Sequence, residues 1–193
     1  KIFLKDYSSK GDRQVSPNIE GIRKDHTGRY RFACQFINEG DRVLDCACGV
    51  GYGSYIISQM TDASVIISID KSKEAIEYAK KHYYNGRIQY CVGDILAGNY
   101  SFETLDIIVS FETIEHLDGK ALLQFFNKKL KKNGLLLIST PNQNRQPYNK
   151  KEFPTHLRHY TPEEFDSILT STGFAVIGKY TQKDKEKEWI STG

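Results

Sequence analysis

The sequence predicts an α/β fold, a Rossmann-like doubly wound sandwich with a mostly parallel central sheet and helices on both faces. Short runs rich in Val, Ile and Leu alternate with segments of helical periodicity. Several of these runs are apolar almost throughout, as in parallel strands that helices cover on both sides. The 193 residues, 39% of them hydrophobic, fit one domain of ordinary composition.

The predicted strands define the sheet. Six segments have the composition of buried strands, and they cover residues 42–46, 65–69, 88–92, 105–110, 135–140 and 175–180. After the sixth, Trp189 and Ile190 give a weak signal for a seventh strand, which would form an antiparallel hairpin with the sixth.

Helical segments fill the gaps between strands. They cover residues 19–38, 52–60, 73–84, 119–130 and 162–171. The last has the clearest start, because Thr161 can cap it, Pro162 suits the first turn and Glu164 completes a capping box. We expect a single domain, in which residues 1–38 form an N-terminal helical lid and residues 39–193 form the Rossmann-like core.

Charge and cysteine content exclude several classes of protein. A net charge of +3 is too small to argue for a nucleic-acid partner. None of the four cysteines forms a C-x-x-C pair, and Cys46 and Cys48 look like small core residues. No apolar stretch approaches a membrane span, and residues 1–9 contain no signal-peptide run. We therefore expect a cytoplasmic protein without a membrane span.

A glycine-rich loop follows the first predicted strand. Ligands of open parallel sheets bind at the carboxyl ends of the strands, so this loop is a candidate binding element. Residues 45–53 read D-C-A-C-G-V-G-Y-G. Glycines at alternate positions allow a sharp turn and close approach to a ligand, and the following helix offers free N–H groups. An ordinary tight turn is the alternative for such a loop taken alone.

Acidic residues end the next two strands. Asp70 stands 19 positions after Gly51, which suits hydrogen bonds to ribose hydroxyls, although helix capping is the alternative. The third strand ends in Gly93-Asp94-Ile95. There the carboxylate could hold an adenine amine while Ile95 packs on the ring, or the segment could be a simple turn.

These segments, in this order and spacing, resemble the class I S-adenosylmethionine-dependent methyltransferases. Residues 156–165, H-L-R-H-Y-T-P-E-E-F, resemble those methyltransferases that act on sugars, glycans and other small molecules. The resemblance covers about residues 42–180 and includes the G-x-G-x-G pattern. The dinucleotide pattern G-x-G-x-x-G would need glycine at position 54, where Ser54 stands, which argues against a nicotinamide enzyme.

The resemblance implies S-adenosylmethionine as cofactor and S-adenosylhomocysteine as product. The three glycines would pass beneath the cofactor, Asp45 would orient the loop, Asp70 would grip the ribose, and Asp94 would meet the adenine amine. The expected cofactor site comprises Asp45, Gly49, Gly51, Gly53, Asp70, Lys71, Asp94, Ile95 and Phe111.

The loop after the fourth strand would face the methyl-bearing sulfur in this family. A positioned histidine can take the acceptor's proton, a contribution of about 10²–10⁴-fold. We expect Glu112, His116 and His156 to be catalytic, with His116 or His156 as the base. The alternative is that Glu115 and His116 only brace the loop.

A second group of polar residues precedes the last predicted helix. We expect Arg158, His159 and Tyr160 to contact the substrate, with simple surface polarity as the alternative. In the N-terminal segment, Tyr7, Tyr30 and Phe32 could line a lid over the sulfonium by cation–π attraction, or serve in packing.

A metal site is a further alternative. Glu112, Glu115 and His116 share helical spacing, and His156 could join them, which suits a divalent ion such as Mg²⁺ or Mn²⁺. This arrangement resembles the metal-dependent small-RNA 3′-terminal 2′-O-methyltransferases, although the chain lacks a strongly basic surface. The main expectation is a metal-free enzyme that methylates a hydroxyl or amine of a small molecule or glycan. A catalytically silent cofactor-binding subunit is the remaining alternative.

Overall fold

The computed structural model describes residues 14–98, 100–183 and 188–191, with the side chains of residues 183 and 188–191 excepted. Five parallel strands form an open sheet in the order β3-β2-β1-β4-β5. The strands are β1 (Arg42–Cys46), β2 (Val65–Asp70), β3 (Ile88–Val92), β4 (Leu105–Phe111) and β5 (Leu130–Ser139). Tyr7 and the segment considered for a signal peptide lie outside the described residues.

The described residues form five α-helices, namely α1 (Lys24–Ala33), α2 (Tyr52–Met60), α3 (Lys73–His82), α4 (Gly119–Lys129) and α5 (Pro162–Ser171). The first precedes β1, and each of the others follows a strand. The predicted capping box of α5 is present, with Thr161 and Glu164 each bonded to the other's backbone. Ser72 and Asp118 cap α3 and α4 through their side chains. No helix in the described ranges is long and apolar enough to cross a membrane.

The sheet is buried on both faces, as the composition of its strands predicts. On one face Leu44 and Ile108 pack in a cluster with Phe126 of α4. On the other, Val43 and Ile107 pack in a cluster that includes residues of α1 and α2. Neighbouring residues of one strand thus enter opposite clusters, which confirms the α/β class with helices on both faces.

The predicted N-terminal helix over residues 19–38 is wrong in its extent. Ile22 and Arg23 have extended backbone, so a short 3-10 turn at Ile19–Gly21 is separated from α1. Another 3-10 turn, Cys34–Phe36, follows α1. Helical spacing of apolar residues did not reveal this break, because the extended Ile22 still buries its side chain in the core, at 4% exposure.

The predicted sixth strand over residues 175–180 is also wrong. Residues 174–179 have no regular structure, and Ile177 is 84% exposed, so the segment buries no face against the sheet. Instead β6 (Tyr180–Lys183) pairs antiparallel with β7 (Glu188–Ser191), outside the main sheet. The hairpin expected from Trp189 and Ile190 is therefore confirmed, displaced toward the C-terminus.

The end of α4 differs from the sequence-based boundary as well. Leu130 is already extended, and β5 begins there, so Lys131 and Lys132 belong to a strand rather than to the end of a helix. β5 is an edge strand of the sheet. A cleft of about 1240 Å³ separates β5 from the segment that leads into β6, and it extends to Phe111 and Glu112 at the end of β4.

Candidate active site

The loop from β1 to α2 turns through three left-handed residues. Ala47, Gly49 and Gly51 have φ of 60°, 56° and 87°. A Cβ at Gly51 would lie 2.6 Å from the Cβ of Ala79 and 2.7 Å from the hydroxyl of Tyr90, so the backbone there approaches its neighbours too closely for a side chain. Because Gly51 also caps α2, the loop presents first-turn N–H groups that have no acceptor within the helix.

Gly53 is required by packing against the N-terminal segment. A Cβ at Gly53 would lie 2.0 Å from the ring of Tyr30 on α1. The Tyr30 hydroxyl donates a hydrogen bond of 3.0 Å to Asp45 at the end of β1. The third glycine of the motif therefore seats α1 against the loop, a role that the spacing of the glycines does not reveal.

Asp45 is fully buried and both of its oxygens accept hydrogen bonds. Ser54 donates at 2.6 Å and Tyr30 at 3.0 Å. Burial raises the pKa of Asp45 to about 6, against the lowering effect of these two donors. Asp45 thus joins β1, α1 and α2, which is consistent with the expected role in orienting the loop.

Asp70 holds the glycine loop from the neighbouring strand. The Gly49 N–H donates to one carboxylate oxygen at 2.8 Å, and the Ser72 N–H donates to the other at 2.9 Å. Each carboxylate oxygen can accept more than one hydrogen bond, so these contacts are compatible with a ribose as well. Lys71 beside it is exposed to solvent.

The end of β3 matches the prediction only in part. Asp94 is exposed, and one of its oxygens accepts a hydrogen bond of 2.9 Å from the Leu96 N–H. Ile95, expected to cover the adenine ring, is 7% exposed and packs in the core cluster of Leu44. The apolar side chains exposed at this edge are Val92 and Leu96, which sequence reasoning did not select.

Glu112 begins the acceptor side of the site with a strained backbone. Its φ is 50°, which a non-glycine residue adopts at a cost of about 1–3 kcal/mol and which is common in functional sites. Ser139 at the end of β5 donates to a Glu112 carboxylate oxygen at 2.7 Å, and the Glu112 N–H bonds the Ser139 carbonyl at 3.1 Å. The preceding Phe111 packs its ring 5.2 Å from that of Tyr30.

The structure brings His116 and His156 together from distant parts of the chain. The segments that carry them are joined by a backbone hydrogen bond, in which the Leu157 N–H donates to the Glu115 carbonyl at 2.7 Å. The His116 Nδ1 lies 3.1 Å from the Thr155 carbonyl oxygen. The two imidazole rings are 4.5 Å apart at an angle of 76°. The two histidines expected as alternative bases therefore lie next to each other.

Glu115 is the most unusual carboxyl group of the site. It is 1% exposed, and Thr140 donates to one oxygen at 3.2 Å, while the other oxygen has no hydrogen-bond partner among the described residues. Burial, together with the charge of Glu112, raises the pKa of Glu115 to about 8. The group is therefore largely protonated at neutral pH.

Three of the four residues considered for a metal converge. One donor atom each from Glu115, His116 and His156 lie within 4.8 Å of one another. A carboxylate oxygen and two imidazole nitrogens are a donor set that a divalent ion accepts. Glu112, the fourth expected ligand, does not belong to this group.

The structure places Arg158, His159 and Tyr160 in different surroundings, and their contact with the substrate stays a prediction. Arg158 lies on the surface, bonded to Glu164 at 2.8 Å and stacked 4.4 Å above the ring of Tyr160. Tyr160 is 4% exposed and belongs to the core. His159 is 3% exposed, with both ring nitrogens in hydrogen bonds. The loop is polar because it bonds itself and α5.

Two residues of α1 that sequence reasoning missed face the same site. His26 lies 3.1 Å from the hydroxyl of Tyr52, and burial lowers its pKa to about 4. Arg29 lines the cleft beside Glu112, and its charge favours the ionised form of Glu115. Their spacing would have indicated them, because residues three or four apart share a helix face. His26 lies four residues before Tyr30 and three before Arg29. Phe32 packs on Tyr180 instead.

Comparison with known proteins gives one family. Residues 37–191 match a family described as a methyltransferase domain. A phosphoethanolamine N-methyltransferase of Arabidopsis thaliana is 33% identical over 152 residues, which are 73% of this chain and 30% of that protein. A probable S-adenosylmethionine-dependent methyltransferase of Mycobacterium tuberculosis is 29% identical over 142 residues, 70% of this chain and 49% of that protein. The chain thus spans about half or less of the length of these relatives.

A further relative and two solved structures extend the comparison. A mitochondrial ubiquinone biosynthesis O-methyltransferase of Schizosaccharomyces pombe is 33% identical over 107 residues, 52% of this chain and 38% of that protein. The fold matches a Haemonchus contortus phosphoethanolamine N-methyltransferase 2 complexed with S-adenosylmethionine, with a TM-score of 0.64, 22% identity and coverage of 80% and 38%. It also matches the [4+2]-cyclase SpnF, with a TM-score of 0.70, 15% identity and coverage of 88% and 63%. These two likenesses show the fold.

Proposed function

The chain belongs to the methyltransferase-domain family as a class I S-adenosylmethionine-dependent enzyme rather than a silent subunit, and we propose that it methylates a hydroxyl or amine of a small molecule or glycan. The observation that carries the proposal is the hydrogen bond between the His116 Nδ1 and the Thr155 carbonyl. A carbonyl only accepts, so the proton of the neutral ring lies on Nδ1. The Nε2 lone pair of His116 is then available to take a proton from the acceptor.

The residues that would hold S-adenosylmethionine fit that ligand. The left-handed loop leaves no room for side chains at Gly51 and Gly53, and Asp70 and Asp94 stand at adjacent strand ends as acceptors for ribose hydroxyls and the adenine amine. When bound, S-adenosylmethionine supplies a methyl group activated by a sulfonium. The chain's own task is to align the acceptor with it, and such alignment can contribute up to about 7–11 kcal/mol.

The acceptor would lie at the ends of β4 and β5. There Glu112 is fixed by Ser139, and Arg29 lines the same cleft. A carboxylate and a guanidinium held in place can orient the hydroxyls or amine of an acceptor while His116 removes the proton. The names of the relatives include both an N-methyltransferase and an O-methyltransferase, which supports an acceptor atom of either kind.

The test uses methyl-labelled S-adenosylmethionine with a host-cell extract, separated into RNA, protein and small-molecule or glycan fractions. We expect label in the small-molecule or glycan fraction, reduced about 10²–10⁴-fold by His116→Gln. The control His82→Gln changes a histidine of α3 outside this site and should leave the label unchanged. Label confined to RNA or protein, or transfer that His116→Gln does not lower, would overturn the proposal.

A second candidate function is a divalent-metal-dependent RNA 3′-terminal 2′-O-methyltransferase. The convergence of Glu115, His116 and His156 favours it. It predicts label in the RNA fraction, loss of transfer after EDTA treatment and recovery on adding Mg²⁺ or Mn²⁺. Transfer to small molecules that EDTA does not lower would set it aside.

Two broader expectations complete the proposal. We propose that α1 acts as part of a lid over a single Rossmann-like core, since Tyr30 fastens it to Asp45 beside the glycine loop. We also propose a cytoplasmic location, supported by the four cysteines, none of which forms a disulfide, as is usual in a reducing compartment.

A further inference from the structure

We propose that His159 is a positioning residue, which fixes the tautomer of His156 so that the His156 Nε2 is presented as an acceptor toward Glu115 and His116. The inference rests on the proposed function, because it assigns the inner half of the same acceptor site. It is supported by the contact of His159 with Gln146, by its contact with His156, and by the packing of the His156 ring.

The outer contact fixes the proton of His159. Its Nδ1 lies 2.6 Å from the carbonyl oxygen of Gln146, and a carbonyl oxygen can only accept. The Nδ1 of His159 therefore carries the hydrogen. In a neutral imidazole the other nitrogen, Nε2, then has the lone pair.

The inner contact passes this arrangement to His156. The His159 Nε2 lies 2.7 Å from the His156 Nδ1, so the hydrogen between them belongs to His156. The opposite choice would place two lone pairs or two hydrogens against each other, or a charged imidazole in a pocket where the two rings are 3% and 7% exposed. The His156 Nε2 is consequently the acceptor nitrogen of that ring.

The direction of the ring is fixed by its neighbours. Phe153 stacks on His156 at 5.1 Å between ring centres, and the Tyr148 hydroxyl donates to the His156 carbonyl at 3.0 Å. A donor atom of His156 thereby lies within 4.8 Å of donor atoms of Glu115 and His116. A backbone carbonyl holds His116 directly, and another holds His156 through the ring of His159. Both imidazoles lie close to the buried carboxyl group of Glu115.

Without an acceptor on its Nδ1 side, His156 would lose the hydrogen bond that holds the hydrogen on Nδ1. The tautomer of a histidine is set by the hydrogen bond that its other nitrogen makes, and at metal-ligating histidines the loss of such a supporting partner costs about 10–100-fold. His159→Phe removes the acceptor and keeps a ring. His159→Gln keeps an amide oxygen that can reach the His156 Nδ1–H.

The test is a long-range ¹H–¹⁵N correlation spectrum of histidine-labelled, EDTA-treated protein at pH 8. The chain has five histidines, so the signals are assigned by single substitutions. We expect His116, His156 and His159 each to carry hydrogen on Nδ1. His159→Phe should move His156 toward the Nε2–H form, whereas His159→Gln should retain the Nδ1–H form.

The outcomes separate this inference from the proposed function, because the spectrum needs no methyl acceptor. A parent protein with the Nε2–H form of His156, or a His156 tautomer that His159→Phe leaves unchanged, would overturn the positioning role. In the transfer assay we expect His159→Phe to lower kcat about 10–100-fold at unchanged KM for S-adenosylmethionine, with His159→Gln recovering most of it. If His159→Phe does not fold, His159→Asn serves, since it can still bond Gln146 but is too short to reach His156.

Discussion

The two halves of the site are built in different ways. At the ends of β1 to β3, the carboxylates accept hydrogen bonds from the adjoining loops and helices, as Asp70 does from Gly49 and Ser72. At the ends of β4 and β5, His116 and His156 meet only because two segments far apart in sequence are joined by backbone hydrogen bonds. The carboxylates of the cofactor half are thus bonded across at most 21 residues of sequence, whereas His116 meets Thr155 across 39.

Two buried carboxyl groups show what this difference does. Asp45 and Glu115 are equally inaccessible, at 0% and 1% exposure. Asp45 accepts hydrogen bonds on both oxygens and its pKa rises only to about 6, whereas Glu115 has one unbonded oxygen and its pKa rises to about 8. Hydrogen bonds to the charged form limit the rise in the pKa of Asp45, whereas the charge of Glu112 adds to the effect of burial on the pKa of Glu115. The cofactor half keeps a fixed charge, and the acceptor half keeps a proton.

The largest expected effect tests the rigid packing of the cofactor half. Gly53→Ala places a Cβ against the Tyr30 ring, so α1 must move away from the loop. Because the overlap is severe, we expect a loss of about 3 kcal/mol or more in the free energy of unfolding and at least about tenfold weaker binding of S-adenosylhomocysteine. Chemical denaturation and calorimetry measure the two. The control Gly86→Ala adds a Cβ in open space, and equal behaviour of the two variants would contradict the packing role.

The next effect concerns the single bond that fastens α1. Tyr30→Phe leaves one oxygen of buried Asp45 without its donor. We expect a loss of about 1.5–3 kcal/mol in unfolding free energy, the range for hydrogen bonds to charged groups. Tyr84→Phe, at a side chain that is 77% exposed, should change nothing measurable in the same denaturation experiment. A stability of Tyr30→Phe equal to that control would show that the bond contributes nothing.

A pH series sharpens the contrast between the two carboxyl groups. The folded protein holds a proton on Glu115 that the unfolded chain releases, so stability falls as pH rises toward 8. Asp45 acts in the same sense only up to about pH 6, and His26, with a pKa of about 4, acts in the opposite sense below 6.5. Glu115→Gln should therefore flatten the slope of unfolding free energy between pH 6.5 and 8. The exposed control Glu163→Gln should keep the parental slope, and a parental slope in Glu115→Gln would refute the assignment.

The smallest effect is expected at Arg158, outside the acceptor half. Its ion pair with Glu164 is exposed, so Arg158→Ala should cost less than about 1 kcal/mol and leave methyl transfer unchanged. Arg29→Ala removes a guanidinium that lines the cleft beside Glu112, and it should lower transfer in the same labelling assay. The reverse ranking of these two variants would return Arg158 to the acceptor site.

What could be predicted from the sequence follows the same division. The glycine loop and the capping box of α5 are each encoded within a few residues, Asp70 follows Gly51 at a spacing of 19 residues, and their elements are confirmed. The role of Gly53 depends on Tyr30, and that of His159 depends on Gln146, contacts that no local pattern contains. Residues 175–180 have strand-like composition, but such a strand forms only where a sheet edge receives it.

The bonds from Thr155 and Gln146 to the histidines come from main-chain oxygens. Every amino acid carries that atom, so the identity of the residue at either position is free to drift over evolutionary time while the imidazoles stay oriented. Conservation would then apply to the length of this loop. A single residue inserted between 146 and 159 would shift a carbonyl oxygen that no substitution can remove. The orientation of these imidazoles thus depends on the length of the loop rather than on the identity of its residues.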